Sequence, residues 1–142
     1  MIHFYDSSAL AKHYMREPGS ERVEALLDEG DLNAVCVITH TEVACALARQ
    51  LREPENDLAD LRSDLETLSR IELTPEVINT SVTLGVRYRL RGCDALQLAA
   101  AVALKKATGR HVRFVCADAD LNVAARAEGL SVLDPSRTDK PN

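Results

Sequence analysis

The sequence predicts an α/β protein, a three-layer α/β/α sandwich around a mainly parallel sheet of about five strands. Short apolar runs alternate with longer helix-like stretches, and no two runs are joined by the tight turn of a hairpin. The run AVCVI is apolar throughout, which is typical of a strand covered on both faces. The predicted strands are residues 2–5, 34–38, 71–73, 112–116 and 130–133.

The first strand and helix are marked by a change of composition. IHFY is rich in residues that favour strands, and this run ends at Asp6. Ser7 or Ser8 then caps a helix, because serine hydroxyls accept hydrogen bonds from the first free N–H groups of a helix. We expect this helix to continue to about Tyr14.

The next helices are bounded by typical start and stop residues. Ser20 caps a helix that Gly30 ends. Thr39 begins another helix, whose apolar residues recur every four positions and which ends before Pro54. The helix after it carries a leucine seam that is expected to face the core: Leu58, Leu61, Leu65 and Leu68.

The second half of the chain follows the same pattern. Thr74-Pro75 is a well-formed helix start, and this helix is expected to run to about Tyr88. A long helix containing DALQLAAAVAL ends at Gly109, and the last helix ends at Gly129.

Length and composition indicate one folded domain. The chain has 142 residues and 46% apolar residues, which suffices for one core, so we predict a single domain over residues 1–135 and a polar tail over residues 136–142. No apolar stretch approaches the roughly 20 residues that a membrane span needs, and the start lacks a secretory pattern. We therefore expect a cytoplasmic protein with no membrane partner.

The four cysteines are widely separated and lack the paired spacing of a zinc site. Each stands in an apolar or helical context, where a free thiol behaves as a small hydrophobic group. We therefore expect buried free thiols at all four positions: Cys36, Cys45, Cys93 and Cys116.

Acidic residues follow the predicted strands at one edge of the sheet. Asp6 follows the first strand, Glu42 begins the helix after the second, and Asp118 follows the fourth, with Asp120 two residues further on. The carboxyl ends of parallel strands meet at the same edge, so these acids should converge. The strand order does not fix the direction of the helix that begins near Asp94.

Each of these acids also has a purely structural explanation. Asp6 and Asp118 can cap the helices that follow them. Glu42 completes a capping box with the threonine three residues before it. The other two are acids in a first helical turn, where the helix dipole favours a negative charge.

Converging carboxylates raise one another's pKa unless a cation neutralises them. Oxygen ligands without histidine or thiolate suit Mg²⁺ or Mn²⁺. Such ions activate a water molecule and stabilise the leaving oxygen when a phosphodiester is hydrolysed. The pattern therefore predicts metal-dependent hydrolysis of a nucleic acid.

The net charge of −5 argues against a broad cationic surface for nucleic acid, but the five converging acids account for the whole excess of acids over bases. Four basic residues are candidate RNA contacts, with an ordinary solvated surface as the alternative. They are Lys12, Arg87, Arg89 and Arg91. Lys12, one helical stretch after Asp6, is expected to lean toward the acids.

Four motifs together resemble the PIN-domain ribonucleases, most closely the VapC toxins of bacterial toxin–antitoxin pairs. They are YDSSALAKHY at the start, Glu42 on the helix after the second strand, DALQLAAAVAL around Asp94 and FVCADADL around Asp118. Their order and spacing match over nearly the whole chain. This chain has Cys116 where members of the family usually carry threonine or serine.

The resemblance implies a PIN-like α/β/α sandwich and a Mg²⁺- or Mn²⁺-dependent endoribonuclease. Its catalytic and metal-binding acids map onto Asp6, Glu42, Asp94 and Asp118, with Asp120 as an additional member. It also implies a homodimer that a VapB-type antitoxin silences by covering the active site. The leucine seam and the helix after Ser20 are candidate contact surfaces.

Two other interpretations remain open. One is a non-catalytic module that binds a metal, RNA or protein through the same acids. The other is an aspartate-based phosphatase or receiver-like domain, which fits less well because neither Lys105 nor Lys106 is placed to reach the acids.

Overall fold

The computed structural model describes residues 1–29 and 31–137, and these form a sheet of five parallel strands with helices on both faces. The strands are β1 (Ile2–Tyr5), β2 (Asn33–Cys36), β3 (Ser69–Ile71), β4 (Val112–Val115) and β5 (Ser131–Leu133). The helices are α1 (Ser7–Ala11), α2 (Ser20–Asp28), α3 (Thr39–Gln50), α4 (Glu55–Leu65), α5 (Pro75–Tyr88), α6 (Gly92–Thr108) and α7 (Ala119–Ala127).

The strand order is β3-β2-β1-β4-β5, and every neighbouring pair is parallel. Alternate side chains of β1 enter two different cores: Ile2 and Phe4 pack with α5, α6 and α7, whereas Tyr5 packs with α1 to α4. Each core lies between the sheet and one of the two helix layers, as in a three-layer sandwich. The predicted fold class is therefore confirmed.

Four of the five predicted strands have ends that differ from the observed ones: β4 and β5 differ by one residue at one end, and β2 and β3 differ by more. β2 ends at Cys36 rather than at residue 38, because Val37 and Ile38 form the turn that leads into α3. β3 covers Ser69–Ile71 rather than residues 71–73. β3 is an edge strand, held by backbone pairing of Cys36 with Ile71, so polar residues fit there. The composition of IEL therefore did not predict the position of this strand correctly.

The helix starts show which local predictions hold. Thr74 caps α5 and Gly109 ends α6 in the left-handed conformation, as predicted. α1 is capped by Asp6 rather than by a serine, and its helical residues end at Ala11 before a turn. The N-cap of α2 is Gly19 rather than the serine after it, whose hydroxyl bonds back to preceding carbonyls. Gly30, the predicted end of that helix, lies outside the described residues, as does the tail from residue 138.

The leucine seam packs into the core that α1 to α4 share. Leu61 and Leu65 are buried, and Leu58 and Leu68 pack against them. Core packing therefore accounts for the seam, although Leu58 and Leu68 remain partly exposed. No helix in the described parts of the chain is both long enough and apolar enough to pass through a membrane.

The prediction of four buried thiols is half wrong. All four cysteines are free, and Cys36 and Cys116 are buried, but Cys45 and Cys93 are exposed. Cys45 lies between the buried positions Val43 and Leu47 of α3, so it points away from the core. Cys93 lies in the first turn of α6, near the carboxyl ends of the strands.

Candidate active site

Four acids gather at the carboxyl edge of the central strands. β2, β1 and β4 are adjacent and parallel, so the segments that carry Glu42, Asp6 and Asp118 leave the sheet on the same side. The α5–α6 pair brings the start of α6, and with it Asp94, to this edge. Asp94 lies close enough to raise the pKa of Asp6, and its own pKa is raised by Asp118 and Glu42.

Asp6 is buried, with only 4% of its surface exposed, and is fixed through one carboxylate oxygen. Oδ1 accepts hydrogen bonds from Ser8 Oγ at 2.7 Å and from the backbone N–H of Ala9 at 3.1 Å. The pKa of Asp6 is raised to about 6: burial is the main cause and the charge of Asp94 adds to it, while hydrogen bonds from Ser8, Ala9 and the Cys116 thiol oppose the rise. This acid therefore titrates near neutrality.

Glu42 is held by side chains from two other segments. Its Oε1 accepts from Ser7 Oγ at 2.7 Å and from Gln97 Nε2 at 2.8 Å. The Gln97 amide also lies 2.9 Å from Ser7 Oγ and 2.9 Å from Thr39 Oγ1. The capping box suggested for Glu42 does not form, because the N-cap of α3 is Ile38 and no side chain caps this helix.

Asp94 and Asp118 complete the cluster. Asp94 is half-buried, and burial is the main cause of its raised pKa, followed by the charges of Asp118 and Glu42, while Arg91 opposes the rise. Asp118 is exposed and caps α7, with Oδ1 accepting from the backbone N–H of Leu121 at 3.0 Å. Asp120 is exposed in the first turn of α7.

Cys116 stands between two of the acids. It is fully buried, and its sulfur accepts a hydrogen bond from the backbone N–H of Asp118 at 3.3 Å. Its thiol donates to the carbonyl oxygen of Asp118 at 3.8 Å and is also close enough to Asp6 to lower the pKa of that carboxyl by hydrogen bonding. Burial, and then the charge of Asp6, raise the pKa of Cys116, so it remains a neutral thiol. A weak thiol donor therefore occupies the place of the hydroxyl that the resemblance leads one to expect.

The candidate RNA contacts differ in their surroundings. Arg91 is exposed at the N-cap of α6, close enough to Asp94 to lower its pKa, and Arg89 is exposed at the end of α5. Arg87 instead pairs with Glu128 at 3.2 Å. Lys12 is buried, and its ammonium pairs with Glu17 at 3.1 Å.

The four acids suit a hard divalent ion, because such an ion prefers carboxylate oxygens as ligands. The raised pKa values of Asp6 and Asp94 show that the negative charge of the cluster is not balanced by nearby bases. Within residues 1–29 and 31–137, however, no three or more histidine, cysteine or acidic side chains are already arranged to hold a metal ion. Asp6, Glu42 and Asp118 each turn one carboxylate oxygen toward a hydroxyl, amide or backbone N–H group. Asp6 and Asp118 are thus anchored within their own segments, whereas Glu42 is anchored by side chains from two other segments.

Comparison with known proteins identifies the family. The PIN domain family matches residues 4–127. Ribonuclease VapC45 of Mycobacterium tuberculosis is 34% identical over 108 residues, which cover 71% of this chain and 75% of that protein. The chain therefore belongs to the PIN-domain family.

Solved structures share the fold at low sequence identity. A toxin–antitoxin complex from Klebsiella pneumoniae matches with a TM-score of 0.69 and 20% identity, covering 94% of this chain and 97% of that one. VapBC2 from Rickettsia felis, bound to a DNA fragment from their promoter, matches with a TM-score of 0.68 and 14% identity, covering 94% and 98%.

Sequence reasoning missed the polar side chains that hold the acids. Ser7 was interpreted only as a cap, and Gln97 was not singled out at all. One signal was present: Gln97 stands one turn after Asp94 and is the single polar side chain in the apolar stretch ALQLAAAVAL. A polar residue on the core side of a helix requires partners, and these indicate what it holds.

Proposed function

We propose that this protein is a Mg²⁺- or Mn²⁺-dependent endoribonuclease of the VapC type, a toxin that a VapB-type antitoxin neutralises. The observation that carries the proposal is the gathering of Asp6, Glu42, Asp94 and Asp118, from four separate segments, at one sheet edge. The curated relative that shares 34% identity is a VapC ribonuclease, which supports RNA as the substrate.

Asp6 and Asp94 would be direct ligands of the ion, and Glu42 and Asp118 would complete its surroundings directly or through water. When bound, the ion would supply an activated water and stabilise the charge that develops on the leaving oxygen. Asp120, exposed in the first turn of α7, would be an additional member of the cluster.

The chain's own residues would position the acids and the substrate. The bonds at Asp6 Oδ1 and Asp118 Oδ1 fix these side chains relative to the backbone, so little order is lost when a cation arrives. Arg91, exposed beside Asp94, is the best-placed group to bind an RNA phosphate next to the cluster. Arg89 would extend this contact, whereas Arg87 and Lys12 would first have to leave Glu128 and Glu17.

The partner proposal rests on relatives with the same fold. The structures from Klebsiella pneumoniae and Rickettsia felis are a toxin–antitoxin complex and a VapBC pair, respectively. We extend this arrangement to the present chain: a homodimer that acts in the cytoplasm until an antitoxin segment covers the acid cluster.

Cleavage of labelled RNA tests the proposal. The purified protein should cut RNA with Mn²⁺ and stop when EDTA is added, and Asp94→Asn should lose activity by at least about 100-fold, as for the removal of a group that acts on the transition state. Asp60→Asn, which changes an exposed acid of α4, is the matched control and should cut normally. Unchanged cutting by Asp94→Asn would refute the mechanism.

The second candidate is a non-catalytic module that binds metal or RNA. One observation favours the form of this candidate that binds RNA without a metal: the described residues contain no ready-made group of three ligands. Binding of Mn²⁺ or RNA without cutting of any RNA tested would select the second candidate. The phosphatase or receiver-like alternative is not adopted, because Lys105 donates to the carbonyl of Gly129 and Lys106 pairs with Glu76, away from the acids.

A further inference from the structure

Gln97 lies beneath the acid cluster and joins three segments. It is 1% exposed and stands on α6 one turn after Asp94, so the same helix delivers both side chains to one side. Its amide nitrogen is within hydrogen-bond distance of Ser7 Oγ from the β1–α1 junction. It also reaches Thr39 Oγ1 and Glu42 Oε1, both on α3.

The number of hydrogen bonds that the Gln97 amide can donate shows which oxygens receive them. An amide group has two N–H hydrogens, and here three acceptor oxygens surround its nitrogen. A bond to an ionised carboxylate is about twice as strong as a neutral one, so Glu42 Oε1 takes the first hydrogen and the two hydroxyls share the second. Ser7 Oγ donates its own hydrogen to the same Glu42 oxygen.

We infer that Gln97 is a positioning residue that acts through Glu42: with Ser7 it holds Oε1 and so sets how the Glu42 carboxylate is presented to the acid cluster. The inference rests on the proposed function, because it concerns binding of a divalent ion by these acids. We do not propose Gln97 as a ligand of the divalent ion, because its amide nitrogen faces Glu42 and has no lone pair available for a metal.

A role limited to packing does not explain this residue. The neighbouring positions Leu98, Ala99 and Ala100 are apolar and fully buried. Gln97 Oε1 is buried without a hydrogen-bond partner among the described residues, and an apolar side chain would avoid this cost in stability. The amide at this position is explained by its hydrogen bond to the Glu42 carboxylate, which an apolar side chain could not make.

The experiment is a double-variant cycle on Mn²⁺ affinity, measured by calorimetry or by electron paramagnetic resonance without RNA. Gln97→Met keeps the length of the side chain and removes both donors, and we expect Mn²⁺ to bind about 10- to 100-fold more weakly. In a Glu42→Ala background the same change should have no further effect, because there is no carboxylate left to hold. Leu104→Ala, a buried change further along α6, controls for loss of stability and should leave the affinity within about twofold.

A second measurement begins with the wild-type chain, so its first result does not depend on the folding of a variant. The side-chain amide resonances of Gln97 should shift when Mg²⁺ is added, and they should not shift in Glu42→Ala. Equal loss of affinity from Gln97→Met with and without Glu42, or unmoved resonances in wild type, would overturn the inference. If wild type binds no divalent ion at all, the proposed function fails first, and the inference fails with it.

Discussion

At the scale of single residues, two acids of the candidate site have structural roles that are compatible with the proposed chemistry. Asp6 caps α1 through Oδ1 and Asp118 caps α7 through Oδ1, and both belong to the same acid cluster. A capping bond fixes a short side chain at the place where a strand ends, so capping supports the functional role by ordering the carboxylate. The structural and functional explanations of these two positions are therefore compatible.

Asp6→Asn tests the cost of burying this carboxylate. The folded-state pKa of Asp6, about 6, lies above its unfolded value near 4, so the folded state binds more protons between these values and wild type loses stability as pH rises through this window. Asparagine keeps the capping oxygen and carries no charge. We expect the variant to be more stable than wild type at pH 7 by up to about 3 kcal/mol and equal to it near pH 4.

Urea unfolding at several pH values in the presence of EDTA measures this difference. Asp120→Asn, an exposed acid, is the control and should change the free energy of unfolding little at any pH. A difference between Asp6→Asn and wild type that is the same at pH 4 and pH 7 would contradict the assigned cause.

Cys116 offers a second test at this scale, because it donates only a weak hydrogen bond to Asp6. Cys116→Ser should strengthen this bond and favour the charged form of Asp6, whereas Cys116→Ala removes the donor. The pH at which half of the Mn²⁺ binding is lost should therefore fall for the serine variant and rise for the alanine variant. Shifts of both variants in the same direction would show that the thiol does not act through its hydrogen bond.

At the scale of elements, the beginning of α2 depends on a glycine. Gly19 has φ +98°, a left-handed conformation, and a Cβ there would lie 2.5 Å from the carbonyl oxygen of Pro135. The segment after β5 therefore packs directly on the backbone at the start of α2. This close approach, together with the left-handed φ, explains why position 19 is a glycine.

Gly19→Ala should lower the free energy of unfolding by more than the conformational cost alone. Gly109 is the matched control, because its φ is also left-handed, at +65°, but a Cβ there meets nothing within 4 Å. We expect Gly109→Ala to cost about 1–2 kcal/mol and Gly19→Ala to cost clearly more. Equal losses in thermal or urea unfolding would mean that the contact with Pro135 adds nothing.

At the scale of the whole molecule, the fold gathers its excess of negative charge at one edge of the sheet. The net charge is −5, and the acids at this edge repel one another when no cation is bound. A divalent ion that binds only the folded state must therefore stabilise the entire domain. This links the chemistry of the site to global stability.

Mn²⁺ should raise the melting temperature of the wild-type protein. At a free concentration of 100 times Kd, the free energy of unfolding should increase by about 2.7 kcal/mol. The rise should be reversed by EDTA and largely absent in Asp94→Asn. Thermal unfolding followed by circular dichroism measures it. A rise of equal size in wild type and in Asp94→Asn would place the stabilising ion somewhere other than the acid cluster.

The sequence by itself determined the alternation of strands and helices, and with it the parallel sheet and the edge at which Asp6, Glu42 and Asp118 emerge. These features follow from local periodicity and from the fixed direction of parallel strands. Asp94 was placed by resemblance, because two helices lie between β3 and β4 and the crossover rule does not fix the direction of the second, which carries Asp94. Strand ends were missed where pairing overrides propensity, as at the edge strand β3.

Only the tertiary structure decided which polar side chains hold the acids and which thiols are exposed. Glu42 meets Ser7 across 35 positions of the chain and Gln97 across 55. No local pattern encodes such a meeting, because it depends on how α1, α3 and α6 pack against the same sheet. Periodicity decides which face of an element is buried, but contacts between distant elements decide what a buried polar group binds.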